Sequence, residues 1–109
     1  MPTTYKVLGQ VAPTAATLST LYTVPSSTSA ICSTISFVNT STTTGLIRIA
    51  VRPGGESIAN KHYIVYNDSL LGNINGALTI GLTLATTDVV SVYSTNGTTS
   101  FNLFGSEIS

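Results

Sequence analysis

The sequence predicts an all-β fold: an antiparallel β-sandwich, jelly-roll-like, with seven to eight short strands. Three observations carry that prediction. Apolar residues recur at every second position in several stretches, which is the period of a strand with one oily face. Turn residues punctuate the chain at intervals of ~8–12 residues, the rhythm of a sandwich or barrel. Only Glu56 to Lys61 reads as a helical turn.

Taken in order, Tyr5 to Ala12 reads as a first strand and Leu18 to Val24 as a second. Pro25-Ser26-Ser27 stops the second, because Pro25 fixes φ and the serines close a turn. Ala30 to Asn39 is a third strand, with Ile31, Ile35 and Phe37 expected on one face and Cys32, Thr34, Ser36 and Val38 on the other. Leu46 to Arg52 is a fourth. Ile47, Ile49 and Val51 point one way there, and Arg48, Ala50 and Arg52 the other. Pro53-Gly54-Gly55 breaks the chain. His62 to Tyr66 is a fifth strand, and Asn67 to Asn75 a loop with Leu70, Leu71 and Ile74 embedded in it. Gly76 to Tyr93 shows the clearest alternation, Leu78, Ile80, Leu82 and Leu84 against Thr79, Gly81 and Thr83. It reads as a hairpin turning at Ala85 to Asp88. Asn96-Gly97 is a two-residue hairpin signal, and Ser100 to Phe104 the last strand. The expected inward set is Ile35, Phe37, Ile47, Ile49, Val51, Leu78, Ile80, Leu82, Leu84 and Val92.

At 109 residues the chain is expected to form one domain, 1–109, with residues 1–4 a short polar N-terminal arm. A domain of this size removes roughly two-thirds of its unfolded surface from water. The 42% hydrophobic content is enough for one core without disulfides or metal. Charged residues are only 7%, far below the usual ~25%. A surface so poor in charge repels its neighbours weakly, which suits a chain that lives against other protein. Lys6, Arg48, Arg52 and Lys61 are too few and too scattered for a phosphate-binding stripe, so no nucleic-acid partner is expected. The opening MPTTYKVLGQ lacks the charged and apolar regions of a signal peptide. No apolar run approaches the ~20 residues of a membrane span.

Enzyme signatures fail one by one. His62 is the single histidine, so metal clusters built on two histidines are absent and no metal or cofactor is expected. Cys32 sits in an apolar strand that raises a thiol pKa, which argues against a Cys32–His62 nucleophile pair. His62 reads instead as a half-exposed strand residue. The four acids lie far apart in sequence and Asp68 and Asp88 read as turn residues, so only a pair brought together by the fold would serve glycosidase chemistry. The Asn-x-Ser/Thr triplets at Asn39, Asn67 and Asn96 fit chance in a Thr/Ser-rich chain. Tyr63 is a candidate sugar platform if Tyr66 and Tyr93 pack inside; otherwise all five tyrosines suit half-buried strand positions.

Leu21-Tyr22-Thr23-Val24-Pro25 followed by Ile31 to Asn39 resembles small structural proteins of tailed bacteriophages. Arg48-Ile49-Ala50-Val51, Lys61-His62-Tyr63-Ile64, Leu82 to Asp88 and the terminal Phe104-Gly105-Ser106-Glu107 continue the resemblance over nearly the whole chain. It implies a non-enzymatic β-sandwich of the virion, made in the bacterial host cytoplasm, with no catalytic residues. A capsid decoration or cement protein is the first expectation; a tail, neck or fibre-associated module contacting host surface or carbohydrate is the second. The expected partners are other virion proteins, the major capsid protein first, and further copies of the chain, as a trimer. The candidate contact residues are Pro2, Thr3 and Thr4 in the arm, and Leu70, Leu71 and Ile74 in the loop.

Overall fold

Alternation of apolar and small polar side chains sets the strands, and turns rich in Gly, Asn, Pro and Ser end them. The computed structural model describes residues 2–109. Its strands are β1 (Thr3–Val11), β2 (Ser19–Thr23), β3 (Ser29–Asn39), β4 (Gly45–Arg52), β5 (Tyr63–Leu70), β6 (Asn75–Leu84), β7 (Val89–Ser94) and β8 (Thr99–Ile108). Two sheets form, ordered β1-β8-β3-β6 and β2-β7-β4-β5, and every recorded pairing is antiparallel. Six of the seven connections cross from one sheet to the other. Only β4 to β5 joins neighbours in one sheet. This is the strand order of a jelly roll.

The core lies between the sheets. Ile35, Phe101 and Leu103 enter it from one side, Ile47, Ile49, Val90 and Val92 from the other. Of the expected inward set, Ile35, Ile47, Ile49, Leu84 and Val92 are fully buried, and Phe37, Val51, Leu78 and Leu82 pack against them. Ile80 is the exception, at 38% exposed. It sits on edge strand β6 where the register slips, Cys32 facing Leu82 but Thr34 facing Thr79.

Bulges account for the other departures in facing. On β3, Cys32 pairs with Gly105 and Thr34 with Phe104, leaving Ser33 as an extra residue. A bulge reverses the alternation. Ala30 and Cys32 therefore share the inner face with Ile35, while Ile31 points outward. Gly105 permits the close approach, since a Cβ there would collide with the Ile31 carbonyl. The expected hairpin over 76–93 is also corrected: β6 pairs with β3, whereas β7 pairs with β2 and β4. The turn between them is tied to β2 and to the β4–β5 connection. Thr87 N–H donates to the Val24 carbonyl, and Asp88 accepts from Gly54 N–H at 2.9 Å. Asn96-Gly97 likewise bridges sheets and closes no hairpin.

The expected helical turn at Glu56 to Lys61 is replaced by two 3-10 turns, Pro53–Gly55 and Asn60–His62. β5 extends to Leu70 through Asn67, whose φ of 54° is left-handed, so the loop shrinks to residues 71–74. The expected arm is strand: Thr3 pairs with Ile108, Thr4 with Glu107, and Ser109 N–H donates to the Pro2 carbonyl at 3.1 Å. Met1, the arm's first residue, lies outside the described residues.

Candidate functional site

The outer face of the β1-β8-β3-β6 sheet is built by register. Residues opposite one another across antiparallel strands point to the same side. Tyr5, Ser106, Ile31 and Thr83 therefore form one row, and Val7, Phe104, Thr34 and Thr79 the next. Gln10, Asn102, Ser36 and Ala77 form a third. None of these residues is charged. Tyr5 is 83% exposed, and Val7, Ile31 and Phe104 are exposed beside it. The result is an open, neutral face rich in large apolar side chains.

The expected contact residues divide. Leu70 belongs to the core at 5% exposed, where its carbonyl accepts from the Asn39 amide. Burial removes it as a contact residue. Leu71 and Ile74 stay exposed in the 71–74 loop. Thr3 and Thr4 are exposed on β1, at the end of the sandwich where Tyr5 projects. The structure does not gather the six residues into one patch.

The opposite outer face, on β2-β7-β4-β5, is partly roofed by residues 53–62. Ala50 and Ser91 are fully buried yet stand outside the main core. Arg52 ties the roof down: Nε donates to Ser91 Oγ at 3.1 Å and an Nη to the Glu56 carbonyl at 2.9 Å. His62 is buried under it, which corrects its expected half-exposed place in a strand. Its Nδ1 accepts from Ala59 N–H at 3.0 Å, so Nε2–H of the neutral ring donates to Glu56 Oε1 at 3.2 Å.

Beyond the roof the face is aromatic. The Arg48 guanidinium lies between the Tyr66 and Tyr93 rings, 4.4 Å from each centroid, and its Nε donates to Asn67 Oδ1 at 2.7 Å. Tyr63 meets Tyr66 edge-on, with centroids 4.8 Å apart and planes at 74°. Asn60, Tyr63 and Tyr66 line an open cleft of about 370 Å³. Period two places Tyr63 and Tyr66 on opposite faces. The register shift between the Ile49–Val65 and Ala50–Tyr63 pairs brings them together.

At one end of the sandwich, Tyr22 Oη–H donates to Glu107 Oε2 at 2.6 Å and Lys6 Nζ stands 3.0 Å from Oε1. The Tyr22 bond and then Lys6 hold the Glu107 carboxyl below its ordinary range. Burial, then the bond to Glu107, pushes the Tyr22 hydroxyl well above its own. Burial also raises the Cys32 thiol to about 11. Cys32 lies in the core between the sheets and His62 under the roof outside them, so the two share no site. Among the described residues, no three His, Cys, Asp or Glu side chains gather as metal ligands, and no helix is long and apolar enough to cross a membrane. Asn39 is buried with its amide bonded inward, so it is no glycosylation acceptor. Asp88 does turn work, accepting from Ala85 N–H at 2.8 Å, whereas Asp68 lies exposed within β5.

No protein-family model matches the sequence, and no curated protein matches it. The fold, however, has relatives among solved structures. A chain in the structure of infectious bursal disease virus Gx strain matches at TM-score 0.54 and 12% identity, over 97% of this chain and 32% of its own length. A chain in the crystal structure of the T13 infectious bursal disease virus particle matches at 0.56 and 11%, over 97% and 29%. This protein thus spans about a third of the chains it resembles. The likeness is one of fold, and it covers almost every residue of the jelly roll.

Proposed function

We propose that this chain is a non-enzymatic structural protein of a virus particle, a decoration or cement protein on the shell of a tailed phage. The observation that carries the reading is the neutral apolar outer face of β1-β8-β3-β6. Exposed apolar clusters on a soluble domain mark contact surfaces. The jelly roll shared with chains of a virus particle supports the same reading, as does the resemblance of the sequence to phage structural proteins. Tyr5, Val7, Ile31 and Phe104 dock on the major capsid protein or on further copies of the chain, as a trimer at three-fold sites. A ligand that binds the assembled shell and not its parts stabilises the shell by mass action. Repetition over a closed lattice adds avidity.

Particles with and without the protein are compared for survival of heat and osmotic shock. Particles lacking it should burst sooner, and protein carrying Tyr5→Ser with Phe104→Ser should fail to rebind them. The tail or neck reading rests on the aromatic cleft, which suits host-surface contact. Imaging separates the two: density on the shell lattice supports decoration, and density confined to one vertex with failed adsorption supports the tail.

A further inference from the structure

The cleft lined by Asn60, Tyr63 and Tyr66 carries a ligand class of its own. Tyr66 is 56% exposed, yet its ring is not loose. One face is covered by Arg48, which is itself fixed by Tyr93 and Asn67. Tyr63 stands against it at 74°. The two rings form a rigid corner, and rigid tyrosines offer contact area at low entropic cost. Across the corner, the Asn60 side chain makes no hydrogen bond to a described residue. It offers one acceptor and two donors. The volume, about 370 Å³, falls at the small end of ligand sites.

Two apolar walls at 74° and one free amide match the surface of a pyranose, whose C–H face is apolar and whose rim is hydroxyl. We infer that Asn60, Tyr63 and Tyr66 form a saccharide site, with the ring against the tyrosine corner and its hydroxyls on the Asn60 amide. The cleft lies on the outer face of β2-β7-β4-β5, the opposite side of the sandwich from Tyr5 and Phe104. A copy held through the β1-β8-β3-β6 face therefore presents the cleft outward. A nucleobase is a poorer fit, because single-strand binders pair stacking with a cationic track and Lys61 beside the cleft is already paired with Glu56 at 3.6 Å.

The test is a two-dimensional amide NMR titration of the full chain. The probes are methyl glycosides of glucose, galactose, N-acetylglucosamine and galacturonic acid, and a proline-rich decapeptide. At least one glycoside should shift the Asn60 side-chain amide and the 60–67 backbone with a dissociation constant of about 1–10 mM. Tyr66→Ala should weaken that binding at least about tenfold, Asn60→Ala should weaken it too, and Thr14→Ala should leave it unchanged. Melting curves of each variant separate lost binding from lost folding. Silence at residues 60–67 with every glycoside up to about 50 mM overturns the inference. So does a response there to the decapeptide alone. Neither result bears on shell binding, which is read from particles.

Discussion

Asn39 shows what one buried polar side chain does here. Fully buried at the end of β3, it donates its amide to the Thr43 and Leu70 carbonyls at 2.7 and 3.2 Å. Its Oδ1 accepts from Ser41 N–H, Ser41 Oγ and Thr98 Oγ1. One residue thus joins two loops and the end of β5 at one end of the sandwich. Asn39→Ala strands several of these partners, and each buried unsatisfied group costs ~1–3 kcal/mol. Urea denaturation should show a loss of about 2–4 kcal/mol. Glu107 acts at the other end, through charge. Its folded-state pKa is lowered, so its stabilisation is present above the unfolded glutamate value of about 4.3 and is lost as pH falls through the folded value. Tyr22 runs the opposite way. Its folded pKa is raised, so its contribution is complete below about pH 10 and fades as pH rises beyond. Melting temperature should therefore hold between these limits and fall on either side. Glu107→Gln should flatten the acid limb, and an acid limb unchanged in that variant would refute the assignment.

At the scale of the element, bulges decide which face a residue takes. Ile35→Ala should cost about 2–5 kcal/mol, since it empties part of the core. Ile31→Ser should stay within about 0.5 kcal/mol, since Ile31 faces out beyond Ser33. Equal losses would mean that β3 runs without its bulge. Gly105→Ala should destabilise because its Cβ meets the Ile31 carbonyl, a backbone atom that cannot step aside. The same bulges mark where the sequence stops being readable. β4 was legible because Arg48 to Arg52 alternates without interruption against β7. β3 was legible as a strand but not in its facing, because nothing in Ile31-Cys32-Ser33-Thr34 announces an extra residue. Tyr63 and Tyr66 were visible as tyrosines, yet their meeting needs a register shift that only the pairing with β4 defines. Leu70 looked like an apolar residue stranded in a loop, and a left-handed Asn67 carries the strand on to it. Alternation also reports which face is oily and never which strand lies alongside, so Gly76 to Tyr93 reads equally well as a hairpin or as a crossing between sheets.

For the whole molecule, six crossings between sheets make nearly every strand pairing non-local. Chains dominated by such pairings fold in milliseconds to seconds, because loop closure precedes the contacts that repay it. Stopped-flow refolding should fall in that range, and microsecond folding would contradict the topology. The distribution of charge gives a second expectation. Arg48, Arg52, Glu56 and Lys61 belong to the other sheet or its roof, and Lys6 and Glu107, on β1 and β8, pair with each other on the side that faces Tyr22 of β2, so the rows that hold Tyr5, Val7, Ile31 and Phe104 carry no charge. Attachment through that face should survive about 1 M salt, where the Debye length is only ~3 Å. Release by salt would show that charged residues make the contact. Light scattering at micromolar concentration reads self-association directly, with a mass of three chains expected for the trimer.

The pairing of β1 with β8 has a mechanical consequence. Pro2 and Ser109 lie side by side, and the ladder runs from Thr3–Ile108 inward to Val11–Phe101. Antiparallel ladder bonds lie perpendicular to their strands. Tension applied through the two ends therefore opens them in sequence like a zipper, each bond bearing the load alone. Tension applied along the strands, between residues at opposite ends of the sandwich, loads many bonds at once. The molecule is consequently weak when pulled by its ends and strong when stretched lengthwise.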